Sequence, residues 1–398
     1  MYIEEKRKTE VVGEYDVAVC GGGIAGIAAA LSAAREGRKT VLFEKQYMLG
    51  GLGTAGIVTI FLPLCDGFGR QVSFGLAEEL LRLSVSMGAE ADYPANWLGG
   101  QGSRTEKDPR FEVRYNPQIF AMLAEKQLLD SGADILYGYS IVGADCRDGR
   151  IEYLLTESKS GRTAFRVRAV VDATGDADVA ALVGAPTERF RQGNVLAAWY
   201  YSLGQAGYRL NMVGAADIPD EEKKATKAAA PLIARRFGGL DGRELSEMMC
   251  ASHAATMRDL LKKRESDPAT MPVTLATTPQ IRMTRRIVGA RTLAAAEEHT
   301  AMPDSIGMVS NWKKRGPVWE VPFSTLYTPA VRNLLFAGRC TSVDETLWDV
   351  MRVIPCCAVT GQAAGIAAAM GDDMAALPIG ELQARLRARG VVIHEKDL

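Results

Sequence analysis

Apolar and polar residues alternate in blocks near the N-terminus, in an order that predicts a strand, a glycine turn, a helix and a second strand. Residues 17–20 form a short apolar run of the kind found in buried parallel strands. Residues 24–34 form an alanine-rich helix, and residues 40–43 form a second apolar run that ends at Glu44. This order of elements is typical of an α/β domain built around a parallel sheet.

The same kinds of pattern continue through the middle and the C-terminal part of the chain. An Asp-Gly pair at residues 148–149 predicts a tight turn between two strands. The predicted helices cover residues 118–131 and 356–370, and the predicted strands begin at residue 133 and cover residues 151–156, 163–167, 169–172 and 333–337. The last of these helices is rich in small residues and follows the last strand.

Between these blocks the composition changes. Residues 217–266 are rich in Lys, Arg and Glu at helical spacing, with a helix start predicted at 220–223, and residues 194–203 and 319–326 favour strands of a second sheet. We therefore expect a discontinuous nucleotide-binding domain interrupted by a substrate lobe. The domain would comprise residues 1–85, 115–190 and 328–398, and the lobe residues 86–114 and 191–327.

Composition narrows the class of protein. The chain has 398 residues, of which 47% are hydrophobic and 24% are charged, and its net charge is −1, so neither nucleic acid nor an anionic membrane is an expected partner. The N-terminus lacks the apolar core of a signal peptide, and no apolar run is long enough to cross a bilayer. The seven cysteines are not spaced like metal ligands, and their odd number argues against a complete disulfide framework. We expect a cytoplasmic protein without a metal site.

Three glycines between the first strand and the first helix form the pattern G-x-G-x-x-G, at Gly21, Gly23 and Gly26. The first allows a tight turn, the second allows backbone to approach a pyrophosphate, and the third allows the helix to pack on the strand. Glu44 follows at the distance expected for a carboxylate that binds ribose hydroxyls. Because strand, helix, second strand and acid follow in order, the pattern predicts a dinucleotide site.

Five segments together resemble the FAD-dependent oxidoreductases of the glutathione-reductase-like superfamily, which includes the succinate dehydrogenase and fumarate reductase flavoproteins. They are residues 16–26, 44–61, 172–178, 281–289 and 333–369, the last of which contains Gly-Gln-Ala-Ala-Gly. The resemblance implies an α/β fold: a Rossmann-like FAD-binding domain with a parallel sheet and an inserted α+β substrate lobe. It also implies FAD as the cofactor.

The resemblance implies particular contacts to FAD. The glycine turn would hold the pyrophosphate, Glu44 and Lys45 the adenosine ribose, and the closing segment the flavin. Glycines of the second glycine segment let backbone pass close to the flavin. The implied cofactor-binding residues are Gly21, Gly23, Ile24, Ala25, Gly26, Glu44, Lys45, Gly50, Gly51, Thr54, Ser140, Ile141, Ala173, Thr174, Gly175, Gly338, Arg339 and Arg352. Arg339 departs from the acid of the wider superfamily, and its contact would be to phosphate or to the ribitol region.

The candidates for catalysis are Arg282, Arg352 and Glu345. Arg352 precedes the predicted helix at 356–370 and would lie near flavin N1 and the C2 carbonyl, where positive potential favours reduction of the flavin. The alternative is that Arg352 forms an ion pair with Asp349. Arg282 lies in an arginine-rich segment that would clamp a carboxylate, bind phosphate or brace the two lobes. The further candidates for a catalytic acid or base are Asp66, Arg70, Asp349, Tyr200 and Tyr201.

One loop departs from the family pattern. Glu345 and Trp348 occupy positions where many relatives carry histidine, so a histidyl link to flavin is not available there, and we expect noncovalent FAD. The three histidines of the chain are expected to be structural. Cys356 and Cys357 are open to two interpretations, a vicinal disulfide that exchanges electrons with flavin or small residues in tight packing.

The function implied is oxidation or reduction of a small organic substrate by hydride transfer to or from flavin N5. The alternatives are a non-redox flavoprotein (an isomerase, hydratase or lyase that uses FAD electrostatically) and a binding module that has lost FAD. The intact glycines and Glu44 count against the last. Since only one nucleotide motif is present, we do not expect a built-in domain for NAD(P)H, and the electrons would leave through a separate partner, oxygen or a second substrate at the same site. The sequence also allows a homo-oligomer.

Overall fold

The computed structural model of the chain describes residues 3–87, 112–214 and 231–398. The strands are β1 Glu10–Cys20, β2 Thr40–Glu44, β3 Ile60–Phe61, β4 Val113–Arg114, β5 Asp134–Tyr137, β6 Ser140–Arg147, β7 Arg150–Ser158, β8 Gly161–Asp172, β9 Thr187–Arg189, β10 Tyr200–Gly204, β11 Gly207–Asn211, β12 Met271–Leu275, β13 Arg285–Ile287, β14 Ser305–Ser310, β15 Val318–Pro322 and β16 Leu334–Phe336. The helices are α1 Ile24–Arg35, α2 Leu76–Val85, α3 Pro117–Asp130, α4 Asp178–Leu182, α5 Gly242–Ser266, α6 Glu345–Met351, α7 Ile354–Met370 and α8 Ile379–Ala388.

A mostly parallel sheet forms the centre of the fold, as the sequence predicts. Its order is β5-β2-β1-β8-β7-β6, and β16 lies beside the last residues of β8. The pairs β5–β2, β2–β1, β1–β8 and β8–β16 are parallel, whereas β6, β7 and the first half of β8 form an antiparallel meander. The fold is therefore α/β, with its parallel strands buried.

The strand β8 is longer than predicted. The sequence indicates two separate strands at 163–167 and 169–172, but one continuous strand covers both. Its first half pairs with β7 and its last three residues pair with β16, so the change of partner rather than a break separates the two patterns. The turn between β6 and β7 lies at Asp148 and Gly149, which have φ angles of 49° and 69°, as an Asp-Gly hairpin requires.

Helices α1 and α7 pack closely against each other on one face of the sheet. A Cβ atom at Gly361 would lie 2.3 Å from the carbonyl oxygen of Ala25, and one at Gly365 would lie 2.1 Å from that of Ala29. These approaches explain why α7 is rich in small residues: larger side chains would separate the two backbones. The packing fixes the N-terminal ends of both helices near one edge of the sheet.

The segment predicted as the lobe contains a three-stranded sheet in the order β11-β10-β12, the long helix α5 and β13, which pairs with β9 of the predicted nucleotide-binding domain. The α5 helix begins at Gly242, whereas the helix start predicted at 220–223 and most of the segment 86–114 lie outside the described residues. The hairpin β14–β15, placed in the lobe by the sequence, packs in the same hydrophobic core as α1 and α7. The domain boundaries stay a prediction.

Among the described residues, no single helix has both the length and the hydropathy needed to cross a membrane. Only α6 and α7 taken together meet those criteria, and they are bent by 89° relative to each other.

Candidate functional site

A cavity of about 370 Å³ lies at the C-terminal ends of the parallel strands β1, β2, β8 and β16. One wall comes from the residues that directly follow these strands. The opposite wall comes from the lobe, through Gly239, Leu245, Thr278, Pro279 and Ile281. In open α/β sheets this edge is where ligands bind.

The first glycine turn forms the floor of the cavity. Gly21 has a φ of 105°, and a Cβ atom there would lie 2.6 Å from the carbonyl oxygen of Ala173. A Cβ at Gly26 would lie 1.8 Å from the carbonyl oxygen of Gly21, so this glycine permits helix and strand to touch and does not itself line the cavity. Gly23 lines the cavity and has no atom within 4 Å of its Cβ position.

Gly23 is also the N-cap of α1, and it offers no side-chain cap to the first amides of the helix. Ile24 and Ala25, the first two residues of that helix, line the cavity. Uncapped amides at a helix N-terminus, next to a glycine with open space, are suited to bind a phosphate group.

Glu44 ends β2 with only 7% of its surface exposed, and it lines the cavity beside Lys45. Its Oε2 accepts a hydrogen bond from the Gly22 amide at 2.7 Å, and its Oε1 accepts one from the Gln46 amide at 2.8 Å. Burial raises the pKa of this carboxyl, whereas the two amides and Lys45 oppose the shift. The carboxylate is thus held in place with lone pairs left for a ligand.

The second glycine segment lies directly on the first. The Gly50 amide donates to the carbonyl oxygen of Gly22 at 2.8 Å, and a Cβ at Gly51 would lie 3.1 Å from the Cα of Gly23. Both Gly50 and Gly51 line the cavity. Thr54 does not: it is fully buried, and its hydroxyl donates to the carbonyl oxygen of Leu49, so it supports the segment from behind.

The turn after β8 brings Ala173, Thr174 and Gly175 to the cavity. Asp172, to which the sequence assigned no role, holds this turn. Its Oδ1 accepts from the Thr174 hydroxyl at 2.6 Å, and its Oδ2 accepts from the Val179 amide at 2.9 Å. Burial raises the pKa of Asp172 to about 6, against the opposing effect of these hydrogen bonds.

At the far end, Arg352, Ile354 and Cys357 line the cavity from the start of α7. Val353 is the N-cap of this helix and provides no side-chain cap, and Pro355 lies in the first turn, as predicted. Asp349, the alternative partner considered for Arg352, is fully buried and pairs with Lys313 Nζ at 2.6 Å.

Cys356 and Cys357 are both free thiols, and no disulfide joins them in this structure. Burial raises the pKa of Cys357 to about 12, although Arg339 and Arg352 act in the opposite direction. The thiol is therefore protonated at neutral pH. These observations favour the tight-packing interpretation of the pair.

Two of the three predicted catalytic residues lie outside the lining of the cavity. The Arg282 guanidinium lies 5.2 Å from the ring centre of Trp199 and donates to the carbonyl oxygen of Gln280. Glu345 accepts a hydrogen bond from the Arg191 amide at 3.1 Å. Their motifs are near the cavity along the chain, but tertiary packing directs both side chains to other partners.

The neighbouring arginines brace parts of the chain. Arg285 donates to Asp178 at 2.9 Å, and Arg286 pairs with Glu188 across the β9–β13 ladder. Burial lowers the pKa of Arg286. Of the alternatives considered for this segment, bracing accounts for both side chains.

The remaining predicted acid or base candidates also have structural partners. Arg70 bridges Asp66 and Glu395, the Tyr200 hydroxyl donates to Asp259, and the Tyr201 hydroxyl shares a hydrogen bond with Thr59. None of them lines the cavity in the described part of the chain.

Several lining residues were missed by sequence reasoning. They are Phe43, Gln46, Leu52, Gly53, Tyr139, Asp176, Asp178, Gly239, Leu245, Thr278, Pro279, Ile281, Ala337 and Ile354. Residues such as Tyr139 directly flank predicted ones and could have been included with them. The lobe residues carry no motif, so only the tertiary fold identifies them.

The cavity has the features that an extended dinucleotide requires: open space at Gly23, a carboxylate at Glu44 and a glycine-lined passage to a second helix N-terminus. No histidine lines it among the described residues. His299 pairs with Glu395 and His394 with Glu320, both at the C-terminal segment.

Comparisons with known proteins bear on the identity of this dinucleotide. A 77-residue segment is 34% identical to a thioredoxin reductase of Ureaplasma parvum serovar 3 (strain ATCC 700970), covering 19% of this chain and 25% of that reductase. The chain thus spans a quarter of the length of this curated relative.

Solved structures with a similar arrangement include a geranylgeranyl bacteriochlorophyll reductase-like protein from Thermoplasma acidophilum, with 14% identity, a TM-score of 0.44 and coverage of 96% of this chain and 93% of that one. The Mycobacterium smegmatis Sdh1 complex matches with 14% identity, a TM-score of 0.46 and coverage of 92% and 69%. With TM-scores below 0.5, these similarities carry no argument about function.

The family comparison is more extensive. The profile of the family described as FAD dependent oxidoreductase matches residues 16–196 and 202–386. This match includes both glycine segments, the turn after β8 and the start of α7, which together form the cavity. The chain belongs to the FAD dependent oxidoreductase family, and FAD is its cofactor.

Proposed function

We propose that this enzyme oxidises or reduces a small organic substrate by hydride transfer at the flavin of a noncovalently bound FAD. The observation that carries the proposal is one continuous cavity that runs from Gly21 and Glu44 to Arg352 and is closed on its other side by Thr278 and Leu245 of the lobe. When bound, FAD supplies the hydride-accepting and hydride-donating chemistry.

Binding is divided along the cavity. The amides of Ile24 and Ala25 receive the pyrophosphate, and Glu44 accepts hydrogen bonds from the adenosine ribose. Lys45 lies beside that carboxylate, and the backbone of Ser140 and Ile141 lines the adenine end. The remaining cofactor contacts are assigned to the backbone of Gly50, Gly51, Ala173, Thr174, Gly175 and Gly338, all of which line the cavity.

At the other end, Arg352 and the first amides of α7 provide positive potential on the cavity wall. Positive charge there stabilises negative charge that develops on the flavin edge and thereby favours reduction. The lobe residues Leu245, Pro279 and Ile281 are apolar and line the cavity, so they would limit the access of water to a bound cofactor and strengthen electrostatic interactions with it.

The proposal assigns no substrate contact to Arg282 or Glu345, because neither lines the cavity. It retains Arg352 as the cation that acts at the reacting end. A separate electron donor or acceptor completes the cycle, since the chain carries one nucleotide motif.

The test is anaerobic reduction of the purified yellow protein by a panel of sugars, hydroxy acids and enoates, with flavin absorbance as the readout. A substrate that bleaches the flavin supports hydride transfer and identifies the substrate class. Turnover of a substrate without a change in redox state would instead favour the isomerase, hydratase or lyase alternative.

Acid precipitation tests the noncovalent claim separately. All flavin should pass into the supernatant, because no histidine among the described residues lines the cavity and the Cys357 thiol, which does, is kept protonated by burial. Yellow colour that stays in the pellet after washing would contradict the proposal.

A further inference from the structure

We propose that Asp176 and Arg339 form a latch that holds lobe residues 281–285 against the FAD cavity, and that Arg339 serves as a positioning residue in this latch rather than as a phosphate ligand. The inference rests on the proposed function only in placing FAD in this cavity. It does not depend on the substrate or on hydride transfer.

The Arg339 guanidinium is shared among three protein acceptors. Its Nη1 donates to the carbonyl oxygens of Ile281 at 3.2 Å and Arg282 at 3.1 Å, and its Nη2 donates to Asp176 Oδ1 at 3.2 Å. Its side chain is 15% exposed. Two of these acceptors belong to the lobe and one belongs to the turn after β8, so a single side chain joins both walls of the cavity.

Asp176 makes the same connection from the opposite side. Its Oδ1 also accepts a hydrogen bond from the Thr284 hydroxyl at 2.6 Å, and its carbonyl oxygen accepts one from Arg285 Nε at 2.8 Å. Arg285 continues to Asp178 Oδ1 at 2.9 Å. Polar contacts at four of the five positions from 281 to 285 thus tie the lobe segment to Asp176 and Arg339.

Each carboxylate of this cluster is paired with an arginine. Asp176 pairs with Arg339 and Asp178 with Arg285, and Lys45 adds a further positive charge near Asp178. Three of the five N–H donors of Arg339 already bond to protein acceptors. A guanidinium that is paired with a carboxylate and donates to two carbonyl oxygens has the chemistry of a lock between two parts of the protein.

Steric evidence points the same way. A Cβ atom at Gly175 would lie 2.5 Å from Arg339 Nη2, so the guanidinium lies flat against the turn. From the other side, the Trp348 indole Nε1 donates to the carbonyl oxygen of Arg339 at 2.6 Å. The backbone and the side chain of Arg339 are therefore both fixed before any ligand binds.

The consequence concerns cofactor retention. Thr278, Pro279 and Ile281 form part of the lobe wall of the cavity, and the latch begins at Ile281. When the latch opens, this wall is free to move away, and the cofactor can leave. Loss of either partner should therefore accelerate FAD release.

The test is a double-mutant cycle with Asp176→Ala, Arg339→Ala and the double variant, all as full chains. The readouts are the FAD dissociation rate and the hydrogen exchange of the 281–285 amides. Each single variant should raise both rates roughly ten-fold, and the double variant should raise them by less than the product of the two single effects, because contacting partners are strongly coupled. Asp176→Asn retains an oxygen acceptor for Thr284 and Arg339 and should restore part of the protection.

Arg150 and Asp372 provide a matched control. They form an ion pair of 2.8 Å that does not line the cavity, so their alanine variants should leave both rates unchanged.

Phosphate binding by Arg339 predicts a different result. Arg339→Ala would then release FAD much faster, whereas Asp176→Ala would leave FAD bound as tightly or more tightly, because a nearby negative charge is removed. That pattern, additive effects in the double variant, or unchanged exchange at 281–285 would each overturn the latch. A protein that binds FAD but reduces no substrate would refute the proposed function and leave this test intact.

Discussion

Replacing Glu44 by glutamine keeps the size of the side chain but removes one of its two acceptors. Each carboxylate oxygen accepts a backbone N–H, from Gly22 at 2.7 Å and from Gln46 at 2.8 Å. The amide nitrogen of glutamine must therefore face one of these two N–H groups, donor against donor. An unsatisfied buried donor costs about 1–3 kcal/mol, and a lost charge-assisted hydrogen bond costs about 1.5–3 kcal/mol.

The two costs affect different states of the protein. The mismatch with Gly22 or Gln46 is present with and without FAD, whereas the lost bond to ribose appears only on binding. We therefore expect Glu44→Gln to weaken FAD binding by about 1.5–3 kcal/mol, which is roughly a 10- to 100-fold increase in Kd. Glu44→Ala should have an effect of similar size, because both variants lose the charged acceptor.

The assay is titration of the apoprotein with FAD, followed by quenching of flavin fluorescence. Glu10→Gln is the control, since Glu10 is an exposed residue at the opposite end of β1. A Kd for Glu44→Gln within two-fold of the wild type would refute the assigned role of the carboxylate. Unchanged binding with a large loss of turnover would show that Glu44 acts on the chemistry instead.

Three further predictions follow from single residues. Gly26→Ala should prevent folding, because its Cβ would lie 1.8 Å from the Gly21 carbonyl oxygen, whereas Gly23→Ala should fold and bind FAD weakly. Circular dichroism measures folding and FAD titration measures binding, and a stably folded Gly26→Ala protein would contradict the packing argument. Arg352→Met should lower the flavin reduction potential by tens of millivolts, at about 30 mV per 1.4 kcal/mol, while FAD stays bound. A redox titration against a reference dye measures the potential, and equal potentials for the wild type and the variant would show that Arg352 has a purely structural role. The free energy of unfolding of the apoprotein should fall by up to about 3 kcal/mol as the pH rises from about 4 to 6, because Asp172 has a pKa of about 6 in the folded state and an ordinary, lower one when unfolded. Denaturant titrations at several pH values measure this change. If the free energy of unfolding of Asp172→Asn falls by the same amount over this pH range, other groups cause the effect.

The parts of the site that the sequence predicts are those in which the backbone binds the ligand. Gly21, Gly50 and Gly51 are required by local geometry, because each has a positive φ, whereas Gly23 has open space beside it and is required only if a ligand approaches there. The positions of glycines in the sequence therefore indicate directly where the backbone has these requirements. Helix α1 and strand β2 were predicted within one residue of their observed ends, whereas β1 begins at Glu10 and not at residue 17.

Side-chain roles were harder to predict because their partners are remote in the chain. Arg339 meets Asp176 across more than 160 residues and Ile281 across almost 60. Nothing in the local sequence of Arg282 or Glu345 indicates that packing turns one toward Trp199 and the other toward Arg191. An arginine-rich motif predicts a local cluster of positive charge. It does not tell whether the negative group that pairs with this cluster belongs to a ligand or to the protein.

The loop that departs from its relatives illustrates this point. Trp348 stands where the resemblance leads us to expect histidine, and it is buried, with its ring edge-on to Phe190 at 5.7 Å and its indole Nε1 bonded to the Arg339 carbonyl oxygen. The Arg286 guanidinium lies 5.7 Å from the same ring. The donor at this position is therefore an indole N–H, which stays protonated at every physiological pH. The loop therefore supports Arg339 at every pH, and any acid–base chemistry on the substrate must come from another group.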